Sequence, residues 1–158
     1  MKILLVYYSR SGNTRKIAKE IASKLRCDIE EIEDTQNRSG IIGFLRSAYQ
    51  AMRGKDTKLK PYHKNPQDYD LVIIGTPIWA GRPSVPISTY LKENKGKFKD
   101  MAFFCTYGGT GLENTIETIK TITDKKPRAT LDVRESEIKK EAYDPKIESF
   151  IKNVKKGD

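Results

Sequence analysis

Apolar and polar residues follow one another along this chain in blocks. Ile3-Leu4-Leu5-Val6-Tyr7-Tyr8 is apolar without a break, the pattern of a strand covered on both faces. Ile17, Ala18, Ile21, Ala22 and Leu25 then recur at helical spacing. Cys27 to Ile32 reads as a second, more polar strand at a sheet edge. Leu71-Val72-Ile73-Ile74-Gly75 is a third, and Pro86 suits the first turn of a helix through Ile87 and Leu91. Met101 to Cys105 is a fourth. Thr110 and Glu113 have capping-box spacing before a helix carrying Ile116 and Ile119. Ala129 to Val133 is a weaker fifth strand. Asp144-Pro145 then caps and opens a last helix striped by Ile147, Phe150, Ile151 and Val154.

Five strands, each followed by a helix, predict an α/β fold: a parallel sheet with helices on both faces, in three layers. The 158 residues suit one domain spanning residues 1–158, and no repeat or long linker divides them. Ligands of such sheets bind beyond the C-terminal strand ends, where strand order reverses. The residues that follow positions 8, 75 and 105 are therefore the ones to read for chemistry.

After the first strand comes Ser9-Arg10-Ser11-Gly12-Asn13-Thr14, running straight into a helix. Small hydroxyl residues and a glycine let backbone N–H groups converge on one point, and the helix N-terminus adds its positive end. This suits a phosphate. No GK[ST] follows, so it is not a Walker loop, and it is not a GxGxxG dinucleotide loop. An ordinary strand–helix turn with a good cap would read the same. After the third strand comes Thr76-Pro77-Ile78-Trp79-Ala80-Gly81-Arg82-Pro83. Trp79 is either a stacking platform for a planar ligand or a ring folded down as a lid on the core. After the fourth comes Thr106-Tyr107-Gly108-Gly109-Thr110-Gly111, whose glycines either let a ligand's edge approach the backbone or simply make a flexible turn.

Taken together, these three loops resemble those of the flavodoxin-like FMN-binding family, and the resemblance covers essentially the whole chain. It implies a five-stranded sheet of order 2-1-3-4-5, with no long insertion in the fifth strand. It implies FMN as cofactor, with Ser9, Arg10, Ser11, Gly12, Asn13 and Thr14 holding the phosphate. Thr76 and Pro77 would lie beside the phosphate and ribityl chain. Ile78, Trp79, Ala80 and Gly81 would belong to one of the two isoalloxazine loops and contact the cofactor, with Trp79 covering one flavin face. Thr106, Tyr107, Gly108 and Gly109 would meet the pyrimidine edge. The chain departs from the family at Gly109, where an aromatic ring often covers the second face. It departs again at Ala80-Gly81-Arg82, where a glycine and then an acidic residue usually follow the aromatic one. An open ring face and a cation near the ring are the expected consequences.

Charge changes the picture in one segment. The net charge is +9, and residues 35–65 hold seven basic side chains against one acidic. Within it, residues 40–53 form an amphipathic pattern with Ile41, Leu45, Ala48 and Met52 on one side. The expectation is a helix laying that stripe on the sheet, with the basic excess as a solvated face or a dock for acidic partners. His63 lies in the loop after it and reads as a surface residue. Cys27 and Cys105 match no metal or redox spacing and read as small buried apolar residues.

Two functions remain open. One is an electron carrier between redox partner proteins, with acidic ones such as ferredoxins suited to a basic carrier. The other is an FMN-dependent NAD(P)H:quinone-type reductase, favoured by Gly109 and Arg82. Nucleic-acid binding rests on charge alone, without interleaved stacking aromatics. No apolar run approaches the roughly 20 residues of a membrane helix, and the N-terminal run reads as a strand and not a signal peptide. The expectation is a cytoplasmic protein with no membrane insertion.

Overall fold

A computed structural model describes residues 1–156. Its strands are β1 (Ile3–Tyr7), β2 (Asp28–Glu31), β3 (Leu71–Trp79), β4 (Arg82–Pro83), β5 (Met101–Tyr107) and β6 (Thr130–Arg134). Its α-helices are α1 (Asn13–Leu25), α2 (Gly40–Met52), α3 (Val85–Glu93), α4 (Leu112–Thr123), α5 (Glu135–Lys139) and α6 (Asp144–Lys155). The sheet order is β2-β1-β3-β5-β6, all parallel, with the two-residue β4 antiparallel to the end of β3. With β4 set aside this is the expected order 2-1-3-4-5.

Both sheet faces are covered, which is why the strand runs are continuously apolar. Leu5 and Tyr7 of β1 point into a core shared with Ile17 and Ile21 of α1 and with Ile147, Phe150 and Val154 of α6. Leu4 and Val6 point the other way, into a core shared with Ile87, Tyr90 and Leu91 of α3 and Ile119 of α4. Cys105 is buried in β5, and burial pushes its thiol up to about 12. Cys27 is half-buried.

Three local expectations are corrected. The Thr110–Glu113 capping box does not form. Gly111 occupies the N-cap of α4 at φ 103 with no side-chain cap, because the backbone there must turn left-handed against Gly81. Asp144 sits inside α6, with Tyr143 at the N-cap. The third correction concerns α2. Its buried residues are Gly43, Ser47 and Ala51, while Ile41, Leu45 and Met52 face solvent and Ala48 is half-buried. The apolar stripe points away from the sheet. The rotation is set by Gly43, which sits on the backbone of Arg38 so closely that a Cβ would collide with the Arg38 carbonyl.

Candidate functional site

The loop after β1 is closed by Ser9. The Ser9 hydroxyl accepts from the N–H groups of Gly12 (3.1 Å) and Arg15 (3.2 Å). This folds the chain so that α1 starts at Asn13 with no acidic residue in its first turn. The first-turn amides of a helix have no acceptor within the helix, so this end has the chemistry that suits an anion. Arg10 beside it adds charge. Nothing lies within 4 Å of where a Gly12 Cβ would stand.

Thr14 is buried and its Oγ1 lies 2.8 Å from Thr106 Oγ1, joining the first turn of α1 to the end of β5 beneath the site. Thr76 is fully buried. Its Oγ1 accepts from the Ser84 N–H at 2.9 Å, so its hydroxyl holds the start of α3.

Residues Thr76 to Trp79 are not loop but the last part of β3. At its end the chain reverses in two residues, pairing Trp79 with Arg82 and Ile78 with Pro83. Ala80 (φ 49) and Gly81 (φ 72) are both left-handed, as a two-residue hairpin turn of this kind demands. The hairpin tip rests on the turn after β5. A Cβ on Gly111 would collide with the Cα of Gly81, and Asn114 Nδ2 donates to the Gly81 carbonyl at 2.9 Å.

Trp79 is 7% exposed. One edge meets Tyr8 (centroids 5.4 Å apart, planes at 88°), and the guanidinium of Arg38 lies 5.2 Å from its ring centroid. Arg38 is itself buried. Its Nε donates to Asp34 Oδ2 (2.8 Å), and its Nη1 donates to Ser47 Oγ (2.9 Å) and Gln50 Oε1 (3.0 Å). Desolvation, with the charge of Asp34, pushes the Tyr8 phenol up to about 12.

Between these parts lies a cleft of about 80 Å³. Of the sixteen sequence-derived candidates it is lined by Arg10, Ser11, Asn13, Thr14, Pro77, Ile78, Trp79, Thr106, Tyr107 and Gly108. Ser9, Gly12, Thr76, Ala80, Gly81 and Gly109 stand behind or beside it. Gly109 lines a neighbouring hollow of about 410 Å³ with Tyr107, Leu112 and Arg134. Arg82 turns to α4, where its Nη1 donates to Thr118 Oγ1 at 3.3 Å, and does not line the cleft.

Two cleft residues escaped the sequence reading. Phe44 of α2 stands half-exposed at the mouth, with the Arg10 guanidinium 5.2 Å from its ring centroid. Glu135 brings a carboxylate beside Gly108, whose Cβ would be 3.1 Å from Glu135 Oε2. Neither belongs to a motif, since both reach the cleft from elements distant in sequence. The cleft thus combines a helix N-terminus suited to an anion with aromatic and apolar walls suited to a flat ring.

A family model described as flavodoxin matches residues 2–138. The chain belongs to the flavodoxin family. Among solved structures, this flavodoxin-family chain is similar to a flavoprotein of Lactobacillus acidophilus NCFM, solved in complex with FMN. The two are 28% identical with a TM-score of 0.68, covering 88% of this chain and 97% of that one. Two others share the fold. A Bacteroides uniformis protein is 22% identical with a TM-score of 0.77, covering 96% and 97% of the two chains. Oxidised flavodoxin 1 of Bacillus cereus is 18% identical with a TM-score of 0.56, covering 99% of each.

Proposed function

We propose that the chain holds FMN in this cleft and carries electrons between redox partner proteins. One observation carries the reading: the acid-free N-terminus of α1 converges with Trp79 and Tyr107 at one sheet edge. The residues fit the group. A phosphate would meet the first-turn amides of Asn13 and Thr14, the Ser11 hydroxyl and Arg10. A flat ring would meet Pro77, Ile78, Trp79 and Tyr107, with Thr106 and Gly108 at its edge. Membership in the flavodoxin family and the FMN complex of the L. acidophilus flavoprotein support this. Phe44 stands half-exposed at the mouth, beside the ring-sized walls.

Bound FMN supplies one- and two-electron chemistry, while the protein orients it, shields it and sets its electrostatics. Arg10 places positive charge at the cleft and Glu135 negative charge at its far edge. The proposed carrier works as one domain in the cytoplasm, with acidic partners such as ferredoxins and without nucleic-acid binding or membrane insertion. No helix of the described residues is long and apolar enough to cross a membrane.

A second reading, the NAD(P)H:quinone-type reductase, is favoured by the hollow beside Gly109, which has room for a small acceptor. The two separate by mixing FMN-loaded protein with NADH or NADPH and a soluble quinone. A carrier oxidises the nicotinamide only when a separate reductase is added. Sustained turnover by the purified protein alone assigns the reductase.

A further inference from the structure

Apart from Met1, every exposed large apolar side chain among the described residues lies on α2: Ile41 (79% exposed), Ile42 (75%), Phe44, Leu45, Tyr49 and Met52. The helix is held with this face outward by its opposite side. Gly43 sits on the Arg38 backbone, and Ser47 and Gln50 accept hydrogen bonds from the Arg38 guanidinium. The outward apolar face is therefore built in by a polar, close-packed seat.

Charge and size narrow what covers it. From Ser39 to Lys55 there are three cations, Arg46, Arg53 and Lys55, and no acid. Asp56, just beyond, pairs with Lys92. Arg46 and Arg53 flank the apolar face on the side of Ile42 and Tyr49, and the Arg53 guanidinium lies 5.7 Å from the Tyr49 ring centroid. Two copies pressed face to face would bring these cations together with no carboxylate on either helix. A helix of this length is about 20 Å long. Its face suits a small transient contact of the electron-transfer kind, under about 1,200 Å² in total, and not an obligate dimer. A helix lying in a bilayer surface carries Lys and Arg on the side opposite its apolar face. Here that side is Gly43, Ser47 and Ala51, packed on the protein.

We infer that the outward face of α2 is a docking surface for a small acidic protein presenting an apolar spot ringed by carboxylates. Phe44 belongs both to this face and to the cleft mouth, so a partner seated here lies against the cleft. The inference rests on the carrier reading for its purpose, but its test does not require FMN.

The test titrates oxidised acidic [2Fe–2S] ferredoxin into the labelled protein, with and without FMN, and follows backbone amide shifts. Shifts confined to α2 and the cleft mouth are expected, with binding weakened about tenfold or more from 50 to 200 mM salt. The triple variant Ile41→Ser, Ile42→Ser, Leu45→Ser should weaken binding at least tenfold. The pair Arg46→Gln, Arg53→Gln should weaken it severalfold and flatten its salt dependence. All these positions are exposed, and far-ultraviolet dichroism checks the fold. Unchanged affinity in the Ser triple overturns the inference. So do shifts located elsewhere, dimerisation of the unmodified protein in sedimentation that the triple abolishes, and co-sedimentation with phosphatidylserine vesicles without ferredoxin binding. Failure to bind FMN with α2 shifts intact would strike the cofactor reading and leave the dock standing.

Discussion

Arg38 lies 5.2 Å from the centroid of the Trp79 ring while it is ion-paired to Asp34 at 2.7 Å. The residue that begins the basic segment is thus no surface charge but the underside of the aromatic wall. It reads Asp34, Ser47, Gln50 and Trp79 at once, tying the seat of α2 to the cleft.

Removing that cation should be costly. Arg38→Leu would leave Asp34 buried and without its ion pair, a change that destabilises by about 3–5 kcal/mol. Urea unfolding should show this, and the double variant Arg38→Leu, Asp34→Leu should recover much of it. Equal loss in single and double variants would contradict the pairing argument.

Trp79 serves packing and the cleft together, since it is buried with Tyr8 and lines the cleft wall. Trp79→Ala should lower stability by about 3–5 kcal/mol. It should also weaken FMN by about 1–3 kcal/mol, as expected for a lost aromatic surface. Flavin fluorescence in the complex should rise, because the nearest quenching indole is gone. A stability loss with unchanged FMN affinity and emission would make Trp79 a lid on the core alone.

The hairpin tip offers opposite substitutions. Ala80 holds a left-handed φ of 49°, so Ala80→Gly should be neutral to stabilising by about 1 kcal/mol. Gly111→Ala adds a Cβ where the Cα of Gly81 stands and should cost well over 1 kcal/mol. Thermal melts of the two variants check this. A Gly111→Ala protein as stable as the unmodified one would contradict the close approach of the two turns.

Alkaline pH should weaken the fold in a defined window. Burial pushes the Tyr7 and Tyr8 phenols up from 10.0 to about 12, helped for Tyr7 by its hydrogen bond to Glu31 and for Tyr8 by the charge of Asp34. The folded state holds these protons more tightly than the unfolded chain. Their stabilisation is complete below pH 10 and is lost between about pH 10 and 12. Urea midpoints should fall steadily through that range, and less steeply in Tyr8→Phe. A flat profile from pH 9 to 11.5 would contradict it.

The strands β1, β3 and β5 were legible because burial on both faces writes itself as unbroken apolar runs. The helix after each was legible from its stripe. The loop Ser9 to Thr14 was legible because glycine and small hydroxyl residues at a strand–helix junction have a chemical meaning. The rotation of α2 was not. An apolar stripe has the same period whichever way it faces, and the residues that decide, Gly43 and Arg38, leave no periodic mark. The hairpin at Trp79–Arg82 was hidden because Ala80 gives no hint of positive φ. Phe44 and Glu135 could be found only by folding the chain.

The central claim is that the cleft binds FMN by its phosphate at the N-terminus of α1. Titrating the purified protein with FMN and with riboflavin, in parallel by calorimetry, tests it most directly. The two ligands differ only in the phosphate. Charge-assisted hydrogen bonds contribute about 1.5–3 kcal/mol each, so two of them predict FMN binding at least about 100-fold tighter than riboflavin. Inorganic phosphate should compete with FMN and hardly affect riboflavin. Equal affinities for the two flavins, or no binding of either, would contradict the account.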